Sequence, residues 1–117
     1  MVTTTPSPVA GRQISAGPIM VDRRSREASV RGQSVRLTTI EHRLLVTLMD
    51  RRGKAQSRQQ LYADVWKANP DVYTRTVDMH VQRLRKKLGD DASLIETVRG
   101  VGYRFNETSP RALDRAS

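Results

Sequence analysis

The hydrophobic residues between positions 74 and 88 recur at helical spacing. At about 100° per residue they fall on one side of a helix, at i, i+4, i+7 and i+11: Val77, Val81, Leu84 and Leu88. Long side chains project from the opposite side: Arg75, Met79, Gln82, Arg83 and Lys86. The pattern predicts an amphipathic helix over 74–88, with its apolar side in a core and its cationic side outward.

Two further helices are predicted upstream. Thr38 and Glu41 have the spacing of a capping box, so we interpret Glu41 as a helix cap rather than as a catalytic acid. The buried side of this helix is aliphatic: Ile40, Leu44, Leu45 and Leu48. Gly53 follows as a C-terminal stop. The capping spacing recurs at Ser57 and Gln60. A second helix is expected to continue from there through three apolar residues: Leu61, Val65 and Trp66.

Short segments on either side of these helices have the composition of β-strands. Three of them precede the first helix and predict an antiparallel meander: 19–22, 27–31 and 34–37. Pro70 ends the second helix before the connection 67–73, which is either a plain spacer or a surface for a partner. After the third helix, strands over 94–98 and 103–105 flank a glycine-rich turn. They predict a hairpin, or wing.

Composition limits the class of protein. A chain of 117 residues with 37% hydrophobic content forms about one small domain, without room for a large active-site cavity. The absence of cysteine excludes disulfides, a thiolate nucleophile and cysteine-ligated zinc. No apolar run is long enough to span a membrane, and no signal segment opens the chain. We therefore expect a cytoplasmic protein without a membrane partner.

The charge distribution indicates a polyanionic partner. The formal net charge is +9 and the isoelectric point is near 11.0. The predicted helix over 74–88 carries one acidic residue, Asp78, against five basic ones: Arg75, Arg83, Arg85, Lys86 and Lys87. A merely solvated surface would mix signs, whereas this arrangement repels itself unless a polyanion neutralises it. Arg99, at the wing turn, is either a solvated arginine or a side chain aimed into a minor groove.

Two other functions are weaker. A single-strand RNA-binding or ribosome-associated protein usually exposes aromatic side chains, but aromatics are only 4% of this chain, and we expect Tyr62, Trp66 and Phe105 in or near the core. A small nuclease needs a metal cluster or an acid and base. His42 and His80 lie on different predicted helices without carboxylates at ligand spacing. We predict no enzymatic activity, metal or cofactor.

Three blocks of sequence resemble the OmpR/PhoB-type winged-helix effector domains of bacterial two-component response regulators. They are LTTIEHRLL at 37–45, TRTVDMHVQRLRKKL at 74–88 and TVRGVGYRF at 97–105, and the resemblance covers about 18–105. It implies an α+β winged helix-turn-helix: a four-stranded N-terminal antiparallel sheet, three helices, a short strand near 54–56 and a C-terminal β-hairpin wing. It also implies sequence-specific binding of double-stranded DNA and transcription regulation within a phosphorelay.

The resemblance implies roles for individual residues. Arg83 resembles the base-reading arginine, and Gln82 lies beside it where many members have a basic residue, so their base preference does not transfer. Asp78 and Met79 are expected to face the groove. The contacts expected at the groove edge or at phosphates are Arg75, His80, Arg85 and Lys86. In the wing, Thr97 is expected to contact a phosphate and Arg99 to enter the minor groove. His42 stands where an aromatic is usual, which predicts polar or looser packing there.

The resemblance also divides the chain and suggests partners. We expect a disordered tail or interdomain linker over 1–17, the winged-helix domain over 18–106 and a disordered tail over 107–117. The chain is either an effector domain separated from its receiver domain, which we favour, or a stand-alone member. In isolation it would be a monomer, and two copies would bind direct repeats of DNA as a head-to-tail dimer in the bacterial nucleoid. The connection 67–73 could contact RNA polymerase.

Overall fold

A computed structural model of the protein describes residues 13–67 and 74–106. The elements follow the chain in this order: β1 (Gln13–Ala16), β2 (Ile19–Asp22), β3 (Ala28–Val30), β4 (Gln33–Val35), α1 (Thr39–Asp50), β5 (Gln56–Ser57), α2 (Arg58–Leu61, continued by a π-helical turn Tyr62–Trp66), α3 (Thr74–Leu88), a 3₁₀ segment (Gly89–Leu94), β6 (Ile95–Val98) and β7 (Gly102–Phe105). The predicted α+β winged-helix architecture is confirmed, and so is the short strand expected near 54–56, shifted to Gln56–Ser57.

The N-terminal sheet has four antiparallel strands in the order β1-β2-β3-β4. Its first strand corrects the sequence prediction, because Gln13–Ala16 lies within the expected tail over 1–17. Ile14 and Ala16 are buried, and Ala16 pairs with Ile19 across a turn at Gly17, whose φ is +58°. Every second residue of this short strand therefore faces the core, but its polar neighbours and a single β-branched residue give a weak sequence signal.

Helix α1 begins with the predicted capping box. The Glu41 amide donates to Thr38 Oγ1 at 3.1 Å, and the Thr38 amide donates to Glu41 Oε1 at 2.9 Å. The stripe of this helix is buried at Leu44, Leu45 and Leu48, while Ile40 is only partly buried. Gly53 follows the helix with a φ of +84°, and its amide donates to the carbonyl of Phe105 at 2.8 Å. The end of α1 is thus bonded to the last strand.

Helix α2 also begins as predicted, since Ser57 Oγ accepts a hydrogen bond from the Gln60 amide at 3.0 Å. The helix then widens into the π-helical turn and ends at Lys67, whose φ of +55° is left-handed. The predicted surface over 67–73 lies, apart from Lys67, outside the described residues. No helix within the described parts of the chain has the length and apolar character needed to cross a membrane.

Helix α3 spans the predicted residues and supplies the centre of the core. Its apolar stripe is inaccessible to solvent at Val77, Val81 and Leu84, and Leu88 is 3% exposed. His42 of α1 is also buried, and its Nε2–H donates to the carbonyl of Asp22 at 3.1 Å. Burial lowers the pKa of this imidazole. The predicted polar packing at this position is confirmed as a hydrogen bond between α1 and the N-terminal sheet.

Candidate nucleic-acid interface

The outer side of α3 is open, as the helical period predicts. Its members are exposed: Arg75, Met79, Gln82, Arg83 and Lys86. Within the described residues, the side chains of Arg75, Arg83 and Lys86 have no hydrogen bond or ion pair to the protein. A guanidinium or ammonium that finds no internal acceptor remains available to an external anion. Helix α3 therefore presents three free cations on one side, while its other side fixes it in the core.

The wing lies beside this helix and carries a further cation. Strands β6 and β7 are antiparallel, with Val98 opposite Gly102 at the end of the ladder. The turn is closed by a hydrogen bond from the Val101 amide to the Val98 carbonyl at 2.9 Å. Gly100 within it has a φ of +80°, which glycine adopts readily. Arg99 is exposed at this tip, next to Val101, which is 47% exposed.

The wing is packed tightly against β5. Strand β7 is the central strand of a three-stranded sheet in the order β5-β7-β6, and Ser57 pairs with Gly102. A Cβ atom at Gly102 would lie 2.1 Å from the carbonyl oxygen of Gln56. Because real Cβ atoms do not approach backbone oxygens so closely, only glycine permits the two strands to meet here. The start of α2 and the wing are thereby held in one unit.

Arg85 and Thr97, both predicted to contact phosphates, are brought together. The guanidinium of Arg85 donates from Nε and Nη2 to the carbonyl of Ile95 at 3.0 and 2.7 Å. Its Nη2 also donates to Thr97 Oγ1 at 2.8 Å. Burial lowers the pKa of Arg85 from its ordinary value. Arg85 thus has an internal role in holding β6, and its phosphate contact stays a prediction, as does that of exposed Thr97.

Asp78 is engaged by two other elements. Its Oδ1 accepts a hydrogen bond from the Tyr103 hydroxyl at 2.6 Å, and its Oδ2 accepts one from Arg58 Nη1 at 2.8 Å. The structure places this side chain among α3, α2 and the wing, and the groove-facing role that the resemblance implied stays a prediction. Tyr103 and Arg58 were missed by sequence reasoning. A tyrosine beside the wing turn is a weak signal, and nothing in the sequence links Arg58 with Asp78.

His80 is turned toward α2 instead of the open side of α3. The side chain is half-buried, and its Nδ1–H donates to the carbonyl of Thr76 at 2.9 Å. Its ring meets that of Trp66 edge-on, with centroids 5.1 Å apart. Trp66 in turn stacks on Tyr62 at 5.4 Å. These contacts support the end of α2, and a groove-edge role for His80 stays a prediction.

The described aromatic residues and acidic groups do not form another kind of site. Tyr62, Tyr103 and Phe105 are buried and Trp66 is partly buried, so none of them offers an open stacking platform. Within 13–67 and 74–106, no group of three or more histidines or carboxylates is placed to hold a metal ion. The accessible chemistry of this surface is cationic and hydrogen-bonding.

Fold and surface together define a winged-helix domain whose third helix presents a cationic side to solvent. The chain belongs to the family described as "Transcriptional regulatory protein, C terminal", whose model matches residues 32–105. This confirms the OmpR/PhoB-type resemblance. The family is described as one of transcriptional regulatory proteins, which assigns the domain to regulation rather than to catalysis.

Individual relatives agree with this assignment. The chain is 40% identical over 97 residues to the phosphate regulon transcriptional regulatory protein PhoB of Pseudomonas aeruginosa, covering 82% of this chain and 42% of that protein. It is 45% identical over 95 residues to the transcriptional regulatory protein AfsQ1 of Streptomyces coelicolor, covering 79% of this chain and 42% of that protein. The chain thus spans less than half the length of these relatives.

Solved structures show the same fold. The RstA DNA-binding domain of Klebsiella pneumoniae, solved in complex with the RstA box, has a TM-score of 0.75 and 33% identity, covering 82% of this chain and 98% of that one. The DNA-binding domain of CpxR from E. coli has a TM-score of 0.71 and 31% identity, covering 80% of this chain and 95% of that one. Both solved domains are matched almost throughout.

Proposed function

We propose that the domain binds duplex DNA sequence-selectively, with α3 in the major groove and the wing tip in the minor groove, and thereby regulates transcription. The free cationic side of α3 carries this proposal. A helix anchored by buried aliphatic residues, with unpaired arginines outward, has the form and charge that a major groove accepts. That the RstA domain is described in complex with its DNA box gives further support.

Individual roles follow from which side chains are free. Arg83 and Gln82 are exposed near the middle of α3, where a guanidinium and an amide can bond to base edges. Arg75 and Lys86 lie toward the two ends of the same side and are suited to flanking phosphates. Arg99 is the wing contact, since the negative potential of a narrow minor groove attracts an arginine.

The domain is further proposed to act as the effector of a two-component response regulator. The relatives are more than twice as long as the matched segment, which leaves room for a receiver domain. Binding head to tail on direct repeats, contact of the segment 67–73 with RNA polymerase, and a position in the bacterial cytoplasm at the nucleoid belong to the same proposal. They rest on the family resemblance.

Selection of bound duplexes from a random library tests the proposal directly. The selected duplex is compared with a scrambled duplex and with single-stranded RNA in a competition gel, and footprinting locates the protected bases. We expect one recurring motif and preference for it over both competitors. Equal affinity for all duplexes would contradict selective reading, and preference for the RNA would favour the RNA-binding alternative.

A further inference from the structure

Two side chains of α3 bond to the same cross-strand residue pair of the wing, one to each strand. Thr97 of β6 pairs with Tyr103 of β7, one step before the Val98–Gly102 pair that closes the ladder. Asp78 bonds to the Tyr103 hydroxyl, and Arg85 bonds to Thr97 Oγ1. The Arg85 guanidinium also lies 5.5 Å from the centre of the Tyr103 ring. The Thr97–Tyr103 pair, one step from the end of the ladder, is therefore bonded to α3 on both of its strands.

These bonds complement the backbone pairing of the wing. Strand β7 is paired with β5 at Tyr103 and Gly102, and its end is held by the Gly53–Phe105 hydrogen bond, whereas β6 is the outer strand of the sheet. A hairpin held only through β7 can twist about that strand, and its tip then moves relative to α3. The Asp78–Tyr103 and Arg85–Thr97 hydrogen bonds prevent this movement, because rotation of the wing about its long axis would break one of them.

The chemistry of the Asp78–Tyr103 bond makes it durable. Burial and the hydrogen bond to the Asp78 carboxylate raise the pKa of the Tyr103 hydroxyl to about 12, so it stays a donor at physiological pH. The second carboxylate oxygen is occupied by Arg58, which holds Asp78 in place from α2. A hydrogen bond from a neutral hydroxyl to a carboxylate is also stronger than one between neutral groups.

We propose that Asp78, Arg85, Thr97 and Tyr103 form a clamp that sets the wing tip at a fixed distance from α3, so that Arg99 and Arg83 reach their two grooves together. Tyr103 and Asp78 are thus positioning residues, and they act on DNA through Arg99. This inference rests on the proposed function. Presetting the tip removes the entropy cost of ordering it on binding, which increases affinity without adding a contact.

A double-mutant cycle tests the clamp. Tyr103→Phe keeps the buried ring and removes only the hydroxyl, and Arg99→Ala removes the tip contact. On the selected duplex, we expect Tyr103→Phe to weaken binding about three- to tenfold in the wild-type background and less than about twofold in the Arg99→Ala background. Equal losses in the two backgrounds would overturn the inference, since Tyr103 would then act independently of the tip.

Tyr62→Phe is the matched control. It removes a hydroxyl from another buried tyrosine, whose ring stacks on Trp66 in α2 instead of bonding to Asp78. We expect it to leave affinity within about twofold of wild type in both backgrounds. Asp78→Asn is less suitable than Tyr103→Phe, because it also raises the net charge and so increases affinity for any duplex.

Amide hydrogen exchange of the free protein gives a readout that does not depend on DNA. Tyr103→Phe should raise exchange at the wing turn, 99–101, about tenfold or more, while the amides of α1 keep their wild-type rates. Unchanged exchange at the turn would overturn the clamp even where binding falls. If wild-type protein selects no duplex, the proposed function fails while the exchange experiment still tests the clamp.

Discussion

Arginines are abundant in both halves of the molecule, but they have different partners in each. Five of those around the N-terminal sheet and α1 are bonded to the protein: Arg23 to Asp50, Arg26 to Thr39, Arg31 to Asp91, Arg51 to Asp64 and Arg52 to the carbonyl of Ser15. Three others among the described residues have no side-chain bond: Arg24, Arg36 and Arg43. On α3 and the wing, Arg75, Arg83 and Arg99 have no such bond among the described residues. Most arginines of the N-terminal half thus serve the scaffold, whereas α3 and the wing tip together present three unbonded arginines to an external anion.

The difference shows that the number of charges does not define a binding surface. Helix α3 has five basic residues, but Arg85 bonds to the wing and Lys87 pairs with Glu41 of α1. A surface ion pair contributes little stability, yet it occupies its cation. Counting the basic residues that lack an internal acceptor gives a better estimate of the available contacts than net charge does.

Replacing Gly102 should have the largest effect, because it disturbs the attachment of the C-terminal half. In Gly102→Ala the new Cβ would collide with the Gln56 carbonyl, so β7 must move away from β5. We expect a loss of about 3 kcal/mol in the free energy of unfolding, measured by urea denaturation.

Gly100→Ala is the matched control for that substitution. Its added Cβ meets nothing within 4 Å, and only its φ of +80° is unfavourable. We expect a cost of about 1 kcal/mol. Equal losses at Gly100 and Gly102 would show that backbone conformation, rather than the packing of β5 on β7, limits the wing.

Arg83→Ala should change DNA recognition without changing the stability of the fold. The side chain is exposed and has no internal partner among the described residues, so the free energy of unfolding should change by less than about 0.5 kcal/mol. Affinity for the selected duplex should fall by about 1–3 kcal/mol and preference at one base pair should relax. Titrations of specific and scrambled duplexes measure this. Equal losses on both would contradict a base contact.

Acid should destabilise the scaffold through Glu41. Burial raises the pKa of this carboxyl, but hydrogen bonds from Lys87 and Thr38 outweigh it, so the net pKa is lowered. A lowered native pKa gives stability that is complete above the unfolded value, near 4.5, and is lost as pH falls through the native pKa.

A variant at the same position checks the sign of this effect. Glu41→Gln should lose about 1 kcal/mol at neutral pH and show a flatter decline between about pH 7 and pH 3 than wild type. Urea midpoints across that range measure both slopes. Parallel curves for the two proteins would exclude Glu41 as a source of the acid sensitivity.

The sequence predicted the features that depend on neighbours along the chain. The period of α3 and the capping box of Thr38 and Glu41 involve residues within a few turns, and the structure confirms both. Strand β1 was not predicted, because Gln13–Ala16 is short and follows a run rich in threonine, serine and proline. Its burial depends on α1, which lies more than twenty residues away in the chain.

The partners of individual cations could not be predicted either. Helical period places Asp78 and Arg85 at the margin of the apolar stripe, but it does not say which strand lies against that margin. Tyr103 reaches Asp78 across 25 residues of chain, and Thr97 reaches Arg85 across 12. Such contacts arise from tertiary packing of the wing and leave no local signal in the sequence, so the internal partners of Asp78 and Arg85 could not be predicted.

Lys86 and Lys87 give the finest test of the comparison, because they are adjacent in sequence and differ in partner. Lys86 is exposed and free among the described residues, whereas Lys87 donates to the buried carboxylate of Glu41. With about three to five phosphate contacts, log K against log salt should have a slope of about −3 to −4.5 in the wild type.

Lys86→Ala should make this slope shallower by about one and weaken specific and scrambled duplexes alike, with stability unchanged. Lys87→Ala should instead lower stability and keep the wild-type slope. If both variants changed the slope equally, the internal ion pair would not decide which cations meet DNA.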